Sequence, residues 1–308
     1  ITINSKTISD LYTPRVGLQT NDTNRFTKLW HEIDKSKIKL NCSNRIEALN
    51  SKKKWFPFNK GGRKRKWYGN NEYVVNWEND GKEIRANTDY LNSSRDSNIG
   101  IGNTEYYFVE NATWSAITSG ELSVRYSPKG FINSNAGMAI YGDNLKFVIG
   151  LLNSNCTIKK LVKIYNESLN FNVGDIKRIP IQIDRVNYVE NIVDKCIYSS
   201  KTDWDSFETS WDFTVHPLVK NNVDTVSEAY SLWAKECDDR FNQLKANEEE
   251  LNRIFIDIYG LQDEIDPYVE DKDVTVRKAD LERDIKSLFS YAVGCMFGRY
   301  SLDTEGLA

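Results

Sequence analysis

The hydrophobic pattern changes its period part-way along the chain. In the first half, apolar residues come in short clusters rich in aromatic and β-branched side chains. Examples are Tyr73-Val74-Val75-Asn76-Trp77, closed by the turn Asn79-Asp80-Gly81, then Tyr106-Tyr107-Phe108-Val109 and Leu122-Ser123-Val124-Arg125-Tyr126. Such runs between turn residues predict strands. Phe26, Leu29, Trp30 and Ile33 recur at helical spacing, which predicts a short helix after Asn24. Residues 86–102 are polar and aperiodic and read as a flexible excursion. A helix is expected over residues 144–165, broken near Asn153-Ser154-Asn155. Residues 171–181 read as a turn and then a strand that Pro180 pushes to an edge.

Beyond residue 186 the period is that of long helices. Thr225 and Glu228 form a capping box. It opens a stripe of Val226, Tyr230, Trp233, Cys237, Phe241, Leu244, Leu251, Phe255 and Ile258, interrupted by Glu248. A second stripe, Leu281, Ile285, Leu288, Ala292 and Met296, predicts a partner for it in a helical hairpin. The pattern therefore predicts an α+β chain. A mixed β-sheet domain with packed helices would fill residues 1–185, and an all-α region residues 186–308.

Composition narrows the class. The 308 residues are 40% hydrophobic and 12% aromatic, enough for a real core. No apolar stretch approaches the roughly 20 residues of a membrane span, and the first residues lack the apolar core of a signal peptide. The five cysteines are far apart, and only two histidines are present, His31 and His216. That spacing fits reduced thiols in a cytoplasmic protein and no metal site. The chain opens on Ile1 rather than methionine, and is read here as a piece of a longer polypeptide.

Charge sharpens the division. Residues 186–308 carry 13 Lys and Arg against 26 Asp and Glu, a net of −13; residues 1–185 carry 28 against 18, a net of +10. Eight of the cations fall in one run without a carboxylate: Lys52, Lys53, Lys54, Lys60, Arg63, Lys64, Arg65 and Lys66. Gly61-Gly62 should turn there, so the run reads as strand, loop, strand with its cations crowded on the loop. Concentrated positive charge of this kind suits the phosphates of double-stranded DNA. Trp55 and Trp67 flank the turn as packing anchors. A second candidate is the polar loop that holds Gln19, Thr20, Asn21, Asn24 and Arg25. It offers side chains able to read base edges, and it enters a helix whose N-terminal amides suit a phosphate.

Catalytic chemistry is absent from the pattern. There is no phosphate-binding glycine loop, and Asn98-Ile99-Gly100-Ile101-Gly102 has no helix after it. There is no Asn-Pro-Pro-aromatic loop of the kind that holds a flipped base for methylation. The carboxylates near Asp80 lack nuclease spacing, and Cys42 with His31 has no supporting context. No catalytic or metal-binding residue is expected.

Several long words resemble a known family. Gly17-Leu18-Gln19-Thr20, Lys54-Trp55-Phe56-Pro57-Phe58-Asn59-Lys60-Gly61-Gly62, Lys66-Trp67-Tyr68-Gly69-Asn70-Asn71, Thr113-Trp114-Ser115 and Asp203-Trp204-Asp205-Ser206-Phe207 are similar to segments of the adenine-specific DNA methyltransferases of BREX phage-defence systems, the PglX family. The resemblance covers nearly the whole chain. It implies a C-terminal fragment: a target-recognition domain like those of TaqI-type enzymes, then a helical region. It further implies that the catalytic domain, with S-adenosylmethionine as methyl donor, lies N-terminal and outside this chain. The expected partners are double-stranded DNA, that catalytic domain, and other subunits of the defence complex. The expected function is site-specific DNA binding for adenine-N6 methylation, with no activity of the fragment alone. The alternative is a scaffold that docks other subunits through its acidic helices.

Overall fold

The computed structural model describes residues 6–95, 100–117, 121–162, 170–221 and 223–307. The fold is α+β, as the pattern predicts. Among the described residues, eight strands form two four-stranded sheets: β1 (Thr13–Arg15), β2 (Thr27–Leu29), β3 (Trp55–Asn59), β4 (Tyr73–Asn76), β5 (Asn111–Ser115), β6 (Val124–Ser127), β7 (Ile132–Asn133) and β8 (Gly137–Tyr141). One sheet has the order β2-β4-β3-β7, antiparallel except for the β3–β7 pair. The other, β1-β8-β5-β6, is wholly antiparallel.

Period-two alternation gives the second sheet two unlike faces. Ala112, Trp114, Val124, Met138 and Ile140 point into the main core. Asn111, Thr113, Ser115, Arg125 and Ser127 point the other way, yet are also buried. They meet a polar layer from the first sheet and its neighbours. Asn59 donates from Nδ2 to Ser127 Oγ and to Asn133 Oδ1, each at 2.8 Å, and Asn133 donates to the Tyr141 hydroxyl at 2.9 Å. The sheets approach so closely that a Cβ on Gly137 would stand 2.2 Å from the Asn59 carbonyl oxygen.

Five longer helices complete the fold: α1 (Glu78–Arg95), α2 (Leu145–Asn153), α3 (Val186–Asp205), α4 (Val226–Tyr259) and α5 (Leu281–Met296). Phe147 and Leu151 of α2, Val193 of α3, and Leu244, Leu251 and Phe255 of α4 join Trp114 and Ile140 in one cluster. The largest core thus runs through residue 185 without a break. Thr225 caps α4 by accepting from the Glu228 N–H at 3.2 Å, and Gly260 ends it at φ 64°. The α4 stripe is shared between partners. Its second half packs in the main core with α3, while Trp233 and Cys237 meet Ile285 and Leu288 of α5.

Local expectations differ from the structure at four places. Residues 86–95 are helical, not an excursion; residues 96–99 lie outside the described ones. After Asn24 the chain makes only the turn Thr23–Phe26 before entering β2, because Thr27, Lys28 and Leu29 find ladder partners on β4. Tyr106 ends the 3-10 segment Thr104–Tyr106, and residues 107–108 form a turn after it. The helix Val173–Lys177 replaces the first part of the expected turn and strand, and Pro180 keeps only an isolated bridge to Thr7. The break in the helix from residue 144 falls at Ser154, as expected.

Candidate nucleic-acid interface

The basic run does not lie open to solvent as a unit. Its last three cations turn inward and meet carboxylates of the acidic half. Lys64 reaches Asp273 at 2.9 Å and Glu121 at 3.1 Å. Arg65 pairs with Asp203, donates from Nε to the Tyr68 carbonyl at 2.9 Å, and lies over the Trp204 ring. Gly69, at φ 120°, makes room for it: a Cβ there would fall 2.5 Å from Arg65 Nε. Lys66 binds Glu248 at 2.9 Å with both side chains about 95% buried. The other oxygen of Glu248 accepts from Trp67 Nε1 at 2.6 Å.

Asp203 receives a second cation, Arg277, whose Nε lies 3.2 Å away. Burial penalises the Asp203 carboxylate, but Arg277 and Arg65 outweigh it and hold its pKa below the ordinary value. Burial likewise opposes the Lys64 charge, and Asp273 with Glu121 overcomes it and raises that pKa. Arg125 is also buried, and among the described residues no carboxylate forms an ion pair with it. Burial, then Arg65, lowers its pKa to about 10.

The picture of eight cations on one open loop is thus corrected. Opposite net charges of the two halves let Lys64, Arg65 and Lys66 serve as ion-pair staples between them, and so they are not solvent-facing. Trp55 and Trp67 are buried, as packing anchors should be. Lys54 is held by Glu83 at 3.1 Å and Glu78 at 3.8 Å. Lys60 stands 4.3 Å from the centre of the Tyr73 ring. Lys52, at the left-handed end of the helix Arg45–Ser51, and Arg63 are exposed. Lys53 is half-buried and donates to the Ser36 carbonyl.

Two further lysines join Lys52 and Lys53. Ile38 bridges Trp55 in parallel, the Lys39 N–H donates to the Trp55 carbonyl at 2.9 Å, and the Lys54 N–H donates to the Lys37 carbonyl. This lays residues 35–39 beside residues 52–55. Lys35 and Lys37 are exposed there. Among the described residues, no carboxylate forms an ion pair with Lys35, Lys37, Lys52 or Lys53; Lys39 is paired with Glu47. The signal existed in the sequence as Lys35-Ser36-Lys37, but nothing there tied it to residue 52.

The loop of residues 19–25 is tied to this edge through Arg25, which shares Glu83 with Lys54. Gln19, Asn24 and Arg25 are exposed, whereas Thr20 is buried. Asn21, at φ 59°, donates from Nδ2 to Thr88 Oγ1 at 3.2 Å, which fastens the loop to α1. The expected anion site at the following helix is already taken. That helix has only four residues, and the Asp22 carboxylate accepts the Arg25 N–H at 3.1 Å. Arg25 instead reaches Glu83 at 3.7 Å.

The strand-to-helix turn between β8 and α2 contains Gly142, but a Cβ there would lie 2.8 Å from the Tyr12 ring. That glycine answers to packing. No group of metal-binding side chains occurs among the described residues. No described helix is long and apolar enough to cross a membrane.

Comparison with known proteins decides the family. No family model matches the sequence. The chain is 45% identical over 311 residues to the adenine-specific methyltransferase PglX of Lacticaseibacillus casei (strain Zhang), covering 98% of this chain and 25% of that protein. This chain belongs to the PglX family. It is also 33% identical over 314 residues to the adenine-specific methyltransferase BrxX of Escherichia coli O9:H4 (strain HS), covering 94% of this chain and 24% of that protein. The chain therefore spans about a quarter of the length of the PglX relatives it matches.

Proposed function

We propose that this chain is the DNA-recognition part of a site-specific adenine-N6 methyltransferase acting in phage defence in the cytoplasm. The observation that carries this reading is the lysine edge. Lys35, Lys37, Lys52 and Lys53, none of them in an ion pair among the described residues, stand together, and the adjoining Lys54 shares Glu83 with Arg25 of the polar loop. Phosphate contacts position a duplex, and base-edge contacts specify it. The lysine edge serves the first role and the polar loop with its neighbours the second. Residues 1–185 form the recognition region and residues 186–308 the helical region that braces it through the buried ion pairs. Methyl transfer, with S-adenosylmethionine as donor, belongs to the part of the PglX relatives that this chain does not span. Duplex binding measured across a salt series tests the reading. Affinity should fall by at least tenfold between about 50 and 200 mM salt, as counterion release requires. Salt-independent binding, or none, would overturn it.

A second reading has one observation in its favour. Phe289, Val293, Met296 and Phe297 stand exposed at the end of α5 and just beyond it, in the acidic half. That apolar surface suits docking of the remaining polypeptide of a PglX protein. Trp233 and Phe241 are buried and serve the core instead. Replacing Phe289 and Phe297 with Ser should abolish co-purification with that remaining polypeptide while leaving the melting temperature unchanged. Retained co-purification would exclude it.

A further inference from the structure

The helix Arg45–Ser51 runs directly into the lysine edge, and its faces are reversed. Its charged residues Arg45 and Glu47 are half-buried, while Ile46 and Leu49 are 73% and 48% exposed. Ile46, Leu49 and Asn50 stand at i, i+3 and i+4, so they share one outward face. Asn50 is exposed, and its carboxamide has no hydrogen-bond partner among the described residues. Exposed apolar residues met singly need no explanation. Here two of them share a face with an open carboxamide and adjoin Lys52 and Lys53.

The helix is held firmly. Asn44 caps it by accepting from the Glu47 N–H at 2.9 Å, and Ala48 is buried in one cluster with Phe56 and Ile84. Glu47 pairs with Lys39 at 2.9 Å, which joins the helix to residues 35–39 of the lysine edge. Arg45 makes a bidentate pair with Asp80, at 2.9 and 2.5 Å. That carboxylate is presented by a strained turn: Asn79, Asp80 and Gly81 take three successive left-handed conformations, at φ 51°, 59° and 75°. Such geometry persists only where its surroundings impose it. Side chains on so fixed a helix lose less freedom when they meet a partner.

We propose that this helix enters the major groove of duplex DNA, where Asn50 reads an adenine and Ile46 and Leu49 pack on the methyl group of its paired thymine. The inference rests on the DNA-recognition reading above. The major groove admits an α-helix, and an A·T pair shows there N7 and the N6 amino group of adenine and the methyl group of thymine. An open carboxamide matches the first two, and aliphatic side chains match the third. The lysines identify what covers this apolar face. Lys52 and Lys53 continue from the end of the helix, and Lys35 and Lys37 lie beside them, which suits phosphates on either side of a groove. An apolar protein surface would leave those four charges unmatched.

The test is enrichment from randomised duplexes, compared among the unsubstituted protein, Asn50→Ala and the double substitution Ile46→Ala/Leu49→Ala. All three positions are exposed and alanine suits a helix, so melting temperatures should agree within about 2 °C. Asn50→Ala should lose preference for adenine at one position by about fivefold or more, the scale of a bidentate contact. Uracil in place of the paired thymine removes the methyl group. It should weaken the unsubstituted protein by about threefold, the scale of one buried methyl group, and leave Ile46→Ala/Leu49→Ala unaffected. Affinity for bulk duplex should change by less than about twofold in both variants, because it comes from phosphates. If both variants enrich the same motif as the unsubstituted protein, or if that protein binds duplexes without enriching any motif, the helix does not read bases. An unchanged motif with loss of self-association in sedimentation would give the face to a second copy of the chain, and would equally overturn the inference. Absence of all duplex binding would overturn the DNA-recognition reading itself.

Discussion

At the scale of single residues, Glu248 is the most instructive position. In the sequence it interrupts an apolar stripe; in the fold it is the buried acceptor for both Lys66 and Trp67. Leaving one member of such a pair alone costs about 3–5 kcal/mol. Glu248→Ala should therefore lower unfolding free energy by about that amount in a denaturant titration. The double change with Lys66→Met should recover a substantial part. A loss below 1 kcal/mol would mean that the pair does not staple the halves.

His216 makes a pH prediction at the same scale. Its Nδ1 accepts the Leu218 N–H at 3.2 Å, and Nε2 meets Ser287 Oγ at 2.9 Å, which fits a neutral ring. Burial lowers its pKa to about 4, against the opposing pull of Asp284 and Glu208. The folded value lies below the unfolded one of about 6.5. The stability this contributes is present in full above pH about 6.5 and is lost as pH falls towards 4. Chemical denaturation at pH 7 and pH 5 should show a loss of about 1–2 kcal/mol that His216→Gln abolishes. A variant with the same pH dependence as the unsubstituted protein would assign the effect elsewhere.

At the scale of elements, legibility followed periodicity. Strands such as β4 and the long helix α4, with its Thr225 cap, show in the sequence because they bury regular apolar positions. The helix α1 did not show. It buries Ile84 and Thr88 but presents Lys82, Ala86, Asp89, Tyr90, Ser93 and Ser94 outward, so its polar face masks its period. The pull of β4 on Thr27, Lys28 and Leu29 was hidden too, since strand pairing is nonlocal. At this scale the Arg45–Asp80 pair should govern the strained turn. Arg45→Ala should raise amide exchange across residues 79–82 by roughly tenfold or more, the effect of losing about 1.5 kcal/mol of local stability. Unchanged exchange would show that the Arg45–Asp80 pair, at 2.5 and 2.9 Å, does not hold the left-handed residues Asn79, Asp80 and Gly81 in place.

At the scale of the molecule, charge asymmetry was legible and its use was not. A basic half and an acidic half suggested that one meets a polyanion while the other faces solvent. In the fold, Asp203, Glu248 and Asp273 neutralise the far end of the basic run. What stays open is assembled from Lys35 and Lys37 with Lys52 and Lys53, brought side by side by the Ile38–Trp55 bridge. The buried pairs with Asp203 and Glu248 explain why Arg65 and Lys66, the densest part of the run, serve stability.

The most direct measurement compares the salt dependence of duplex affinity for two variants. One replaces Lys35, Lys37, Lys52 and Lys53 with Ala; the other replaces Lys64 with Gln. The four-lysine variant should bind more weakly at all sequences, with the slope of log affinity against log salt reduced by about 3–4, roughly one per phosphate contact. Lys64→Gln should keep the slope of the unsubstituted protein. An unchanged slope in the four-lysine variant, or a reduced one in Lys64→Gln, would contradict the placement of the DNA contact on the lysine edge.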